Sequence, residues 1–353
     1  MDLIGNVYTA VETWCRAEYS RMGYWMTAVL AYILGPPTSS NVSPSKKNKT
    51  TSGEPTVKVV RKMTVPKNVP SIIEIKRILP RHCFTSSLPT SMYYVAKDLI
   101  LVLALYASIL LAEQYLPLVV YVLYLPVYWM LLGTVFWAIF VLGHDCGHGS
   151  FSAFPLLNDV VGTFLHTIIS VPFYPWKLSH KHHHKNTGNM DQDEIFYPVR
   201  EKDDNMKGGF ITGFGLGFGW FIYLVIGFSP RKLCHFNPME HIFIGHVVGC
   251  VASLASLLAW FYALSLYYQS YGVYALTAHY LVPTFVFGSW LVIVTFLHHM
   301  DTGVPWYADG QWSNVLGQLS TVDRDYGWAH HLTHHIGTHQ IHHLFTKVPH
   351  YHL

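Results

Sequence analysis

The sequence predicts an all-α membrane protein: four transmembrane helices arranged as two hairpins, with interfacial helices and a histidine-rich cap on the cytosolic side. Three observations predict it. Hydrophobic residues make up 51% of the 353-residue chain and charged residues only 12%, about half the charged share of a soluble domain. Two long stretches are almost free of charge. The 23 histidines equal all Lys and Arg together, and most fall in clusters that follow apolar segments.

From Leu99 to Gly143 the only charged side chain is Glu113. A helix crosses a bilayer in about 20 residues, so this stretch holds two spans with a turn near Glu113 and Pro117. From His241 to Met300 there is no Asp, Glu, Lys or Arg. The same argument gives two more spans, turning between Gln269 and Gly272, so the spans occupy residues 99–143 and 241–297. Two shorter apolar stretches are interrupted, Phe151 to Trp176 by Pro155, Asp159 and Pro172, and Phe210 to Phe228 by Gly213, Gly215, Gly217 and Gly219. Histidine clusters follow the first hairpin, the first interrupted stretch and the second hairpin. They can meet at one site only if each intervening segment crosses the membrane an even number of times, so the interrupted stretches are expected to lie along the interface. The glycine run has neither a preceding strand nor GxGxxG spacing, and reads as close helix packing rather than nucleotide binding.

Residues 1–70 read as a basic, largely disordered amino-terminal segment, and residues 71–353 as the domain that carries the spans and the histidines. The apolar run from Tyr24 to Leu34 is too short to span a bilayer. Between Lys46 and Arg81 lie ten Lys or Arg against two Glu, which keeps this segment cytosolic by the positive-inside rule. The Asn-x-Ser/Thr matches at Asn41 and Asn48 then stay unglycosylated. A net charge of only +3 argues against nucleic acid as a partner, and five scattered cysteines without a CxxC pair argue against a disulfide framework or a structural zinc site.

The histidines carry the chemistry. His144 and His148 stand at i and i+4, one turn apart on one helical face. His180, His183 and His184 give i, i+3 and i+4, and His339, His342 and His343 repeat that pattern. A lone histidine on an apolar face is more often a satisfied core residue, but three groups with ligand spacing, each after an apolar segment, point to metal. Eight neutral nitrogen donors without a thiolate suit iron, zinc, copper or nickel, and exceed the four that one zinc site needs, so two metals are expected. The carboxylates Asp145, Asp191, Asp193 and Glu194 are expected to orient imidazoles through the far ring nitrogen. Asp323 and Asp325 read as solvated or capping groups.

These residues resemble the membrane fatty acid desaturases with three histidine boxes, and within them the methyl-end branch. The similarity runs from about Ile72 to the last residue, so residues 71–353 read as a desaturase domain. It rests on Ile-Leu-Pro-Arg-His-Cys-Phe (78–84), His-Asp-Cys-Gly-His-Gly-Ser-Phe-Ser (144–152), Trp-Lys-Leu-Ser-His (176–180) with His183 and His184, Thr-Val-Asp-Arg-Asp-Tyr-Gly (321–327) and Ile-Gly-Thr-His-Gln-Ile-His-His-Leu-Phe (336–345). The resemblance implies two non-haem iron ions, O2 as co-substrate, and removal of hydrogen from two adjacent methylenes. It implies metal ligation by His144, His148, His180, His183, His184, His339, His342 and His343. A ninth ligand matches His299, with His298 and His335 as less secure alternatives. His182, His330, His331 and His334 match no ligand and read as interfacial. The resemblance also implies an acyl-lipid or acyl-CoA substrate, cytochrome b5 with its reductase as electron donor, and an endoplasmic reticulum membrane with cytosolic boxes. Relatives continue beyond the position of Leu353, so a longer natural chain is expected. His-Asp-Cys-Gly-His-Gly in box one and Ile336-Gly-Thr before box three are similar to the omega-3 branch, with delta-12 activity on oleoyl chains as the runner-up.

Removing hydrogen from an unactivated methylene exceeds what side-chain acids and bases can do, so a redox cofactor must carry it. The chain has no nucleotide, flavin or haem motif, so its electrons come from a partner, which Lys177, Lys181 and Lys185 or the basic segment could dock. A hydroxylase or acetylenase would use the same histidines. A membrane metal carrier would place its ligands within the spans, where only His246 and His279 lie.

Overall fold

A computed structural model describes residues 68–196, 198, 215–228, 231–301 and 303–353. All but Asn68 belong to one compact unit, Val69–Lys207 with Phe214–Leu353. The expectations for Tyr24 to Leu34, Asn41, Asn48, most of the basic segment and Gly213 lie outside the described residues.

Helix α1 (Ile72–Ile78) starts at a capping box in which Ser71 and Glu74 satisfy each other's backbone N–H groups. α2 (Leu88–Tyr115) is capped by Ser87, and α3 (Leu118–His148) follows after two residues. The break is set by Pro117. The residue before a proline is pushed out of the helical region, and Leu116 is extended, with φ −87° and ψ 141°. α3 ends where Gly149 takes the left-handed conformation (φ 68°), the usual role of glycine after a helix. His144 and His148 thereby fall in its last turns.

α4 (Pro155–Thr167) and α5 (Phe173–Asn186) come next, each entered through a proline, Pro155 at the first helical position and Pro172 at the cap. α6 (Gly217–Ile226) is short and apolar. The long apolar stretch Val247–His299 comprises α7 (Val247–Leu276), a π-turn (Thr277–Leu281) and α8 (Val282–His299). A straight helix of its 53 residues would run about 80 Å. It is not straight: Gly272 leaves the helix at φ 82°, ψ 175°. Trp260 Nε1 then donates to Tyr280 Oη at 2.8 Å, and Tyr267 Oη lies 2.7 Å from His279 Nδ1. Residues 20 and 12 apart in sequence become neighbours, so the chain reverses at Gly272. The remaining helices are short: α9 (Asn314–Gln318), α10 (Trp328–Leu332) and α11 (His339–Leu344).

The described residues are thus mostly helical and contain no strand beyond one isolated bridge, Asn189 to Tyr307. Among the described residues, three helices are long and apolar enough to cross a membrane: α2, α3 and the Val247–His299 stretch. α3 is central, packing against α2, α4 and α8, and its carboxyl-terminal half is buried continuously from Leu132 to Cys146. α2 and α7 turn large apolar side chains outward, such as Leu103, Leu111 and Leu258. That arrangement suits hydrocarbon rather than water. The glycine run does serve close packing: a Cβ on Gly217 would lie 2.3 Å from the Phe285 carbonyl oxygen of α8.

Candidate metal centre

α3, α5, α8 and α11 deliver the candidate ligands to one place. His144, His148, His180, His184 and His342 form one group in which one ring nitrogen from each lies within 4.8 Å of the others, and His183, His299 and His343 form a second. His339 adjoins the second group, its Nε2 2.9 Å from that of His299. Seven of the nine rings are buried, while His148 and His180 are partly exposed.

The contacts between these rings fit a metal better than one another. Nε2 atoms face Nε2 atoms at 3.2 Å for His144 and His148, 3.0 Å for His180 and His184, and 3.2 Å for His184 and His342. His184 Nε2 faces two of these nitrogens at once, and in a neutral imidazole it offers either one N–H or one lone pair, so it cannot bond both. Adjacent ligands held about 2.1 Å from a shared ion at right angles would be about 3 Å apart, as these are. His183 Nε2 and His343 Nε2 are buried without a hydrogen-bond partner. Burial, and after it the neighbouring rings, holds His184, His339, His342 and His343 well below the ordinary imidazole pKa. They stay neutral, the form that binds metal.

The far side of several rings is fixed. His183 Nδ1 donates to the buried Asp193 carboxylate at 2.9 and 3.1 Å, and His343 Nδ1 donates to Gln318 Oε1 at 3.0 Å. The Gln318 amide also donates to the His184 carbonyl at 2.6 Å. Asp145 Oδ1 lies 3.7 Å from His144 Nδ1. Asp191 and Glu194 do not serve the candidate ligands in this way. Asp191 Oδ2 accepts the Asp309 N–H, and Glu194 pairs with His182 at 2.9 Å, because this turn aims only Asp193 inward. His298 has both ring nitrogens engaged, with the Val322 carbonyl and the Tyr326 hydroxyl, and His335 packs edge-on against His330 and His331. His334 is not interfacial: it is 1% exposed and donates to Asp98. Gln318 was not readable as a site residue, since nothing in its spacing marks it.

Beside the second group a cavity is walled by Trp137, Phe140, Trp176, Trp220, Leu291 and Val294, from α3, α5, α6 and α8. Two nitrogen-only groups of candidate ligands thus adjoin an apolar cavity, in a chain with helices suited to lipid.

The fatty acid desaturase family model matches residues 121–353. The chain belongs to that family. It is 42% identical over 293 residues to a tobacco (Nicotiana tabacum) omega-3 fatty acid desaturase of the endoplasmic reticulum, covering 80% of this chain and 75% of the relative. A Nostoc sn-1 acyl-lipid omega-3 desaturase (ferredoxin) is 38% identical over 285 residues, 79% of this chain and 77% of its own. An Arabidopsis thaliana acyl-lipid omega-3 desaturase (cytochrome b5) of the endoplasmic reticulum is 39% identical over 292 residues, 79% and 73% respectively. The matched region of this desaturase holds all nine candidate ligands, so the enzyme is an oxidoreductase whose histidine clusters are compatible with a metal centre.

Proposed function

We propose that the chain inserts an omega-3 double bond into omega-6 polyunsaturated acyl chains, using O2 and two iron ions held by the nine histidines. The observation that carries the metal reading is the pairing of two imidazole groups, five nitrogens and then three with His339 beside them, next to an apolar cavity. The regiochemistry rests on the three omega-3 relatives and on the box-one and box-three sequences. Nitrogen-only ligation by nine residues suits two irons and differs from the carboxylate-rich soluble di-iron bundles.

When bound, the iron pair would supply oxidising power sufficient to break two methylene C–H bonds. Two hydrogens leave adjacent carbons, O2 is reduced to two waters, and two electrons and two protons complete the balance. The protein's own residues do the rest. The aromatic wall aligns the acyl chain and excludes water, while Asp193 and Gln318 hold His183 and His343 in the ligating tautomer. Electrons come from a partner, cytochrome b5 in an endoplasmic reticulum setting, as in the Arabidopsis relative's name. Residues 71–353 form the desaturase domain. The reversal at Gly272 and the break at Pro117 support four spans in two hairpins, with the boxes and the basic segment cytosolic.

The test is expression in a yeast that makes only monounsaturates, with and without fed linoleate, followed by location of double bonds by mass spectrometry. An omega-3 product from linoleate is expected. Linoleate formed without feeding, and no omega-3 product with it, would make the enzyme a delta-12 desaturase, and a hydroxylated or acetylenic product would move it to those chemistries.

A further inference from the structure

A buried polar cluster lies outside the nine histidines and joins parts of the sequence that no motif connects. His350 donates twice to Asp145 Oδ2, from its backbone N–H at 3.1 Å and from Nδ1 at 2.9 Å. The other oxygen of that carboxylate lies 3.7 Å from His144 Nδ1, a nitrogen that is buried without a hydrogen-bond partner. Behind His350 stands His334, in ring contact with centroids 4.7 Å apart and no hydrogen bond between the two, and His334 Nε2 donates to Asp98 Oδ2 at 2.6 Å. Tyr94 packs edge-on against both rings. Asp98, Asp145, His334 and His350 are all at most 3% exposed.

Burying carboxylates this completely is costly unless N–H donors surround them, so the arrangement needs a reason. Helix geometry supplies one. Consecutive residues on a helix do not face each other, so Asp145 does not address the neighbouring ring of His144 by sequence position alone. Something outside α3 must hold the carboxylate so that one oxygen turns back to Nδ1. His350 occupies the opposite oxygen with two donors and leaves Oδ1 free to accept the N–H of His144 Nδ1 once the ring closes the 3.7 Å gap on ligating a metal. A carboxylate on the far nitrogen of a ligating histidine fixes its tautomer and its aim.

We propose that His350 is a positioning residue of the metal centre: it clamps Asp145 so that Asp145 holds His144 with Nε2 toward the metal, and the His334–Asp98 pair fixes the His350 ring in turn. This rests on the metal reading above but adds a residue outside every histidine box, carried on the segment after α11.

The test uses the full chain in detergent, stripped of metal and titrated with cobalt(II), with the absorbance of the bound ion as readout. Wild type is expected to take two equivalents, and His144→Ala identifies the one served by His144. His350→Phe keeps a ring against Tyr94 and His334 but removes the Nδ1 donor. It should weaken that same equivalent by about 10- to 100-fold and leave the other unchanged. His350→Asn, whose amide N–H can stand near the position of Nδ1, should restore most of the affinity. If His350→Phe fails to fold, Asp98→Asn should still give a smaller loss confined to the same equivalent. Unchanged cobalt binding in His350→Phe, equal losses in His350→Phe and His350→Asn, or a loss on the other equivalent overturns the positioning role. Wild type that binds no cobalt overturns the metal reading itself and the proposal with it.

Discussion

Replacing Asp193 by Asn tests how the second metal group is held. Asp193 is fully buried and accepts from three donors, His183 Nδ1 and the backbone N–H groups of Ile195 and Phe196. Asn is nearly isosteric but offers one acceptor oxygen and one amide donor. With its oxygen kept on the two backbone N–H groups, the amide faces His183 Nδ1 and makes that nitrogen an acceptor. The ring proton then moves to Nε2, which points at the metal position, and ligation is lost unless the proton returns to Nδ1 against the Asn amide, at a cost. Loss of such a partner weakens metal binding by about 10- to 100-fold, or about 1.4–2.7 kcal/mol. Asp193→Ala removes all three acceptor contacts and leaves buried donors unpaired, at about 1–3 kcal/mol each. It should therefore lower the melting temperature of the metal-free protein, which Asp193→Asn should change far less. Cobalt(II) titration and thermal melting of the two variants separate the effects. Asp193→Asn binding both metal equivalents within about twofold of wild type, a margin of about 0.4 kcal/mol, would refute the tautomer argument.

Two further predictions follow from the same structure. In the metal-free protein, His184, His339, His342 and His343 are held neutral with pKa values well below 6.5, so the unfolded chain takes up protons first as pH falls. Their contribution is complete above about pH 6.5 and shrinks below it, by up to about 1.4 kcal/mol per group per pH unit; the melting temperature should drop steadily from pH 6.5 to about 5, and a flat profile would contradict the burial of these rings. For topology, glycosylation tags at the turns after Tyr115 and at Gly272 should be modified and tags near Lys185 and Asp325 should not, and a tag near Lys185 lying across the membrane from one near Asp325 would rule out two hairpins.

What the sequence determined by itself was whatever depends on local periodicity or local charge. The two charge-poor stretches gave helices α2, α3, α7 and α8, because hydrocarbon admits only backbone whose hydrogen bonds close within the segment. Pro117 marked its turn through the restriction it imposes on Leu116, and the i, i+3 and i+4 spacings put the histidines on single faces before any contact was known. Convergence of the three clusters at one site in turn required an even number of crossings between them. The tertiary structure decided what no spacing encodes. It divided the nine imidazoles between His144, His148, His180, His184 and His342 on one side and His183, His299 and His343, with His339 beside them, on the other. It selected Asp193 over Asp191 and Glu194, and engaged His298 elsewhere. It also brought Gln318 and His350 to the site from segments without a motif. The physical reason is that a ligand is aimed by its own helix, whereas the group that fixes its far nitrogen can come from anywhere the fold brings a donor or acceptor within about 3 Å.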